Sequence, residues 1–133
     1  MASARDVAVG FLQAFWRGDI PAAVALCAPD AVWTLQASLR AERHVPVPVA
    51  IDFLMTRLVS GFAPESGYTV TFRNAIAEGD EVAVEYAAAG HTRSGGHYQN
   101  DYLVRFTVRD GRIVSVRPYF DTHTVHRLLA ALD

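Results

Sequence analysis

The sequence predicts an α+β fold: a strongly curved antiparallel sheet wrapped over N-terminal helices, forming a cone with its interior open at one end. Three observations carry this. Apolar residues recur at helical spacing in the first half of the chain and again after residue 121. From residue 68 to residue 120 the period drops to two, which is the signature of half-buried strands. The turn sequences Glu78-Gly79-Asp80 and Asp110-Gly111 separate the alternating runs, so those strands return as hairpins. Helices segregated from an antiparallel sheet are the α+β layer solution.

Ser3 with Asp6 resembles a capping box. Val7, Phe11, Leu12 and Phe15 follow at helical spacing until Gly18, predicting a helix over 3–17. Asp19 is a suitable cap for a second short helix, since Pro21 is tolerated in a first turn and residues 22–28 are helix-compatible before Pro29-Asp30 breaks them. Residues 31–37 read as a strand with Trp33 and Leu35 on one side. Residues 38–49 have no clean period, and Pro46 and Pro48 favour extended backbone, so the segment reads as a surface loop able to lie over a pocket mouth. Pro48 then opens a third helix, in which Ile51, Leu54, Met55, Leu58 and Val59 form a stripe that Gly61 ends.

Residues 68–76 alternate, and Val82, Val84 and Tyr86 continue the pattern on the next strand, whose middle, Ala87-Ala88-Ala89-Gly90, is unusually small and leaves room on a curved sheet. After a Ser/Gly-rich connection at 92–96, the longest alternation begins. Tyr98, Asn100, Tyr102, Val104, Phe106 and Val108 share one face, and the chain turns at Asp110-Gly111 and returns over 113–120. Asn100 and the hydroxyls of Tyr98 and Tyr102 interrupt the apolar face. A buried polar group is costly unless it is paired or meets a ligand. Val125, Leu128, Leu129 and Leu132 predict a closing helix.

The 133 residues are enough for one domain, 1–133, with one core and room for a pocket. A net charge of −2 and a pI near 6.2 give no basic footprint, which argues against a nucleic-acid partner. The single cysteine, Cys27, makes no internal disulfide and favours a reducing compartment; in its Ala-rich setting it reads as a small buried thiol. No apolar run approaches the ~20 residues of a membrane span, and no signal-peptide pattern is present, so the expectation is a soluble, cytoplasmic protein with no membrane partner. His123 and His126 could share a helix face, but no third ligand is in phase, so no metal is expected. His91 and His97 lie on the polar parity and read as surface or dimer contacts.

The element order, with Phe15-x-x-Gly18-Asp19 near the start, A-P-D-A-V-W at 28–33 and D-G-R-I-V-S-V-R-P-Y-F-D at 110–121, resembles the nuclear transport factor 2-like superfamily and, within it, the SnoaL-like group. The resemblance covers essentially the whole chain, although these motifs are turn and packing signals that carry little chemistry. Members include ketosteroid isomerases, epoxide hydrolases, polyketide cyclases and proteins that only bind or assemble, so the fold does not settle function. Carried over by alignment, the isomerase base position is Leu35, its helix tyrosine is Phe11, and its acidic hydrogen-bond donor is Tyr102. The hydrolase Asp-Arg-Asp set falls on Ala88, Tyr86 and Pro118, with Trp33 and Leu35 at its tyrosine and asparagine. Neither catalytic set is present.

The SnoaL-type cyclases close a ring by an intramolecular aldol step, with a late aspartate taking a proton next to a carbonyl. The resemblance places that role on Asp121, whose alternative is to cap the closing helix. Tyr102, Asn100 and Tyr86 are the matching donors for an enolate, or else members of a satisfied core network. Trp33, Leu35, Phe11, Ala88, Pro118 and Phe120 are the expected pocket walls. Two functions follow: a cofactor-free cyclase or isomerase acting on a small hydrophobic carbonyl compound, or a non-catalytic binding or assembly module. The resemblance also implies a homodimer through the outer face of the sheet.

Overall fold

The computed structural model describes residues 2–62 and 68–132. Ser3 caps α1 (Ala4–Trp16), its side chain accepting the N–H of Asp6. The stripe predicted for this helix is buried, and Ala8, Ala14 and Trp16 are buried with it. Gly18, at φ 81°, makes the left-handed turn that ends it. Asp19 caps α2 (Ile20–Ala25) by accepting from the N–H of Ala22. That helix is shorter than the composition suggested, because Cys27 already belongs to a strand.

β1 (Cys27–Thr34) starts earlier than residue 31 and ends before residue 37. Pro29 and Asp30 sit inside it rather than breaking the chain. Its pairing with the last strand shifts between Cys27 and Val32, so the missing N–H of Pro29 falls where the ladder is already interrupted. The loop expected at 38–49 is a second correction. It contains β2 (His44–Pro46), which pairs antiparallel with β1 in the register Trp33↔Val45 and buries Val45. Pro46 is tolerated because β2 is an edge strand. α3 (Val47–Arg57) follows at once, with Pro48 in its first turn, and a 3-10 turn (Val59–Gly61) ends the helical region.

The remaining strands are β3 (Tyr68–Glu78), β4 (Glu81–His91), β5 (His97–Arg109) and β6 (Arg112–Phe120), before α4 (Thr122–Leu132). The side chain of Leu132, predicted for the closing stripe, lies outside the described residues. The sheet order is β2-β1-β6-β5-β4-β3. β3 to β6 form the expected meander, but β1 runs parallel to β6, so the sheet is mixed rather than wholly antiparallel. The connection between those two strands passes through most of the chain, and no hairpin constrains their direction.

Register shifts between Phe72 and Asn74 and between Thr107 and Val108 mark bulges that increase local twist and bending. The curved sheet remains unclosed, with β2 and β3 at its edges. Its concave face carries Val84, Tyr86, Tyr102, Val104, Phe106 and Val116 onto α1. At the centre, Phe11 and Phe106 are both fully buried, with ring centroids 5.8 Å apart and edge to face. Such pairs add about 0.5–1.5 kcal/mol beyond area burial.

Candidate functional site

Between α1, the concave face of the sheet, α3 with its following turn, and α4 lies a cavity of about 50 Å³. Its wall is apolar and aromatic. Leu12, Phe15 and Trp16 come from α1, Trp33 and Leu35 from in and just after β1, and Pro118 and Phe120 from β6. Leu54, Leu58, Val59 and Phe62 close one side and Val125 and Leu128 of α4 another. Among the described residues its lining holds no Asp, Glu, His, Lys or Arg.

The polar atoms in the wall are three phenols and two indoles. Tyr86 and Tyr102 are cross-strand partners whose rings stack in parallel, with centroids 4.8 Å apart. Trp16 meets both edge-on, and its Nε1 donates to the Tyr86 hydroxyl at 3.0 Å. The proton of Tyr86 has no acceptor among the described residues. The Tyr98 and Tyr102 hydroxyls bond each other at 2.5 Å, and Tyr98 also accepts from Asn100 Nδ2 at 3.1 Å. One phenol of this pair donates to the other, which leaves one hydroxyl proton over whichever way the bond points. Trp33 is only 4% exposed, and its Nε1 has no partner among the described residues. An unpaired buried donor costs about 1–3 kcal/mol, so the cavity wall retains donors that folding leaves unsatisfied.

Burial pushes the pKa of all three phenols above the ordinary tyrosine value, and the crowding of the hydroxyls on one another adds to the rise at Tyr102. They therefore remain protonated donors at neutral pH.

A family model described as a SnoaL-like domain matches residues 8–116. The chain belongs to the SnoaL-like domain family. Its fold is accordingly one related to polyketide cyclases. Among solved structures, wild-type IdmH of Streptomyces antibioticus, a proposed polyketide cyclase, is 26% identical, with a TM-score of 0.74 over 97% of this chain and 99% of that one. TerC, co-crystallised with polyporic acid, is 20% identical, with a TM-score of 0.79 over 96% and 99% of the two chains. An NTF2-like protein of unknown function from Burkholderia pseudomallei is 21% identical, with a TM-score of 0.76 over 97% and 98%. At those last two identities the likeness shows the fold alone. No curated protein matches the chain significantly.

The structure of this SnoaL-like domain brings Tyr86, Tyr102, Trp33, Leu35, Pro118 and Phe120 together around the cavity. It does not bring Phe11 or Ala88 there. Phe11 is spent on the core against Phe15, Trp33 and Phe106, and the small Ala88 is fully buried opposite Asn100. Asn100 is 3% exposed, but its amide is fully used: Nδ2 donates to the Tyr98 hydroxyl and to the Asp121 carbonyl, and Oδ1 accepts the Asp121 N–H. It positions Tyr98 and the start of α4 and has no proton left for a ligand.

Asp121 faces away from the cavity, in an open groove on the outer side of the sheet. Its carboxylate accepts from the N–H groups of His123 and Thr124 and from the Thr124 hydroxyl, as an N-cap. Slight desolvation pushes its pKa up, but these hydrogen bonds and the nearby His123 outweigh it and leave the group below its ordinary value. The arrangement is that of a helix cap, and a carboxylate so stabilised is a weak base.

Several wall residues were not among the expected site residues. Tyr98 shares the parity of Tyr102, and Trp16 lies four residues after Leu12, so both had a readable signal. Phe62 had none, and Leu128 was readable only as part of the closing helix, because their position depends on how α3 and α4 close over the cone. Cys27 is buried, and desolvation raises its thiol to about 11, consistent with an inert packing role. No cluster of three metal-ligating side chains occurs among the described residues, and none of their helices is long and apolar enough to cross a membrane.

Proposed function

We propose that the cavity binds a small, mostly apolar molecule through a carbonyl or quinone-type oxygen. The observation that carries this is the proton inventory of the wall. Among the described residues, the Tyr86 hydroxyl, one hydroxyl of the Tyr98–Tyr102 pair and the Trp33 indole each keep a proton with no acceptor, in a lining without charged side chains. Such a wall is complementary to an acceptor and repels a second donor. Ligand pockets usually enclose about 300–1,000 Å³, so a cavity of about 50 Å³ must widen on binding, and α3, its following turn and α4 are the walls that can withdraw. The test is a titration with acetophenone, read by quenching of indole fluorescence and by a rise in Tm. Saturable binding that weakens in Tyr102→Phe is the expected result. No saturation, or unchanged affinity in that variant, refutes the reading.

The relation to IdmH favours a second reading, in which the same donors polarise a carbonyl of a folded polyketone and the cavity shape directs ring closure without a cofactor. On this reading the protein supplies an oxyanion site and conformation, and the proton leaves an already acidic carbon of the ligand to solvent. Incubation with a linear poly-β-ketone and analysis of the cyclised products tests it. A product distribution identical to that of the protein-free reaction leaves binding as the function.

We further propose that the outer face of the sheet joins a second copy. Leu103 and Tyr119 are cross-strand neighbours there, 46% and 51% exposed. Arg105 and Arg117 flank them on one side along the strands and Asp101, paired with Arg73, lies on the other, while Glu85 is the β4 neighbour of Leu103 in the same row. A twofold axis running across the strands at Leu103 would pack the Leu103 and Tyr119 side chains of the two copies together and set Arg105 and Arg117 of each copy towards Asp101 of the other. Light scattering of the wild type and of Leu103→Glu should show a dimer and a monomer, respectively.

A further inference from the structure

A second cleft, of about 190 Å³, opens beside the cavity where the β4–β5 connection meets α4. Tyr98 and Leu128 line both spaces, so they form the partition between the two. The character of the wall reverses across it. On the outer side stand Ser94, His97, Thr124 and Arg127, and among the described residues Arg127 forms no ion pair with any carboxylate. Asp121, just before α4, is engaged in capping that helix and lines the separate outer groove. No acidic side chain lines this cleft among the described residues.

We infer that the ligand is amphipathic, with an apolar carbonyl-bearing body in the cavity and an anionic group, such as a carboxylate, held in this outer cleft by Arg127 and His97. The inference rests on the cavity reading above and names the class of molecule that the site takes. A guanidinium presents a planar fork of donors that matches a carboxylate, and its neighbours here are donors or hydroxyls rather than competing anions. The partition is a single layer of side chains. An aromatic acid whose ketone meets the phenols would thus carry its charge past Leu128 and not bury it. Arg127 and His97 are exposed, so the cleft meets an anion without burying it, whereas an acid group in the cavity itself would be desolvated without a counter-charge.

The experiment compares acetophenone with para-acetylbenzoate, which has the same body and adds only the carboxylate opposite the ketone. Binding is followed by indole quenching in the wild type, Arg127→Gln and Arg127→Lys. The acid should bind the wild type about fivefold more tightly than the ketone. Arg127→Gln should abolish that preference without altering acetophenone binding, Arg127→Lys should keep part of it, and added salt should diminish it. If acetophenone binds but the acid binds no better, or the preference survives in Arg127→Gln, the inference falls and the cavity reading stands. If neither molecule binds, both fall.

Discussion

Asn100 grips the backbone of Asp121 from both sides, its Nδ2 donating to the carbonyl at 3.1 Å and its Oδ1 accepting the N–H at 3.2 Å. This pair ties the early part of β5 to the residue just before α4, and the same amide orients Tyr98. Asn100→Ala would leave two backbone groups of Asp121 and the Tyr98 oxygen short of partners. A buried loss costs about 1–3 kcal/mol, and water can replace part of it at the exposed Asp121, so denaturant unfolding should show the variant destabilised by roughly 2–4 kcal/mol. Amide exchange should accelerate first in residues 121–125. Exchange that rises uniformly along the chain would contradict a local role.

The capping role of Asp121 has its own signature in pH. Its folded pKa lies below the unfolded value, so the stabilisation is present above the ordinary carboxylate range and is lost as pH falls through the folded pKa. Asp121→Asn retains an acceptor but has no charge to titrate. Tm measured from neutral pH into acid should therefore fall less steeply in the variant than in the wild type, while acetophenone affinity at neutral pH stays unchanged. A loss of affinity would return the carboxylate to the site.

Tyr86 and Trp16 offer a test of the buried network. Tyr86→Phe removes the acceptor of the Trp16 indole, 3.0 Å away, and strands that donor in an apolar wall. The expected destabilisation is about 1–3 kcal/mol. Trp16→Phe in the same background removes the stranded donor, so a double-mutant cycle should return a coupling of about 0.5–3 kcal/mol. Strict additivity would mean that the bond contributes nothing.

These same residues show how far the sequence could be read. The alternation from Tyr98 to Val108 places every inward residue correctly, because period two leaves no choice of face once one side is buried. The polar interruptions at Asn100 and Tyr102 are visible in the same string. Their partners are not, since the Asp121 backbone and the Trp16 indole reach them only through tertiary closure. β2 was hidden because three residues containing a proline have no period to detect. The parallel β1–β6 pairing was hidden because strand direction across a long connection leaves no local trace. Asp121 illustrates the same limit at the site: the residue before a helix can cap it or turn inward, and only the direction of its side chain separates a structural carboxylate from a base.

The phenol cluster predicts a flat response to pH near neutrality and a loss of stability in alkali. The folded pKa values of Tyr86, Tyr98 and Tyr102 are raised, so their contribution is complete below the unfolded value, near 10, and disappears as pH rises through the folded values. Acetophenone affinity should be constant from about pH 6 to pH 9. Phenolate absorbance from the cluster should appear together with unfolding. Affinity that drops with a midpoint below pH 9 would show that one phenol ionises in the folded state and is no longer a donor.

Leu35 separates the demands of stability from those of binding. Its side chain is 1% exposed and forms part of the cavity wall beside Trp33. Leu35→Ala deletes buried methyl groups and should destabilise the protein by about 2–5 kcal/mol, as large-to-small core changes do. The space it vacates adjoins a cavity that, at about 50 Å³, is too small for an aryl ketone without movement of its walls. Enlarging it reduces the displacement of α3 and α4 that binding requires. The less stable variant should therefore bind acetophenone more tightly and recover more Tm on saturation than the wild type. Were the ligand to sit in the outer groove instead, the same substitution would lower Tm equally with and without it.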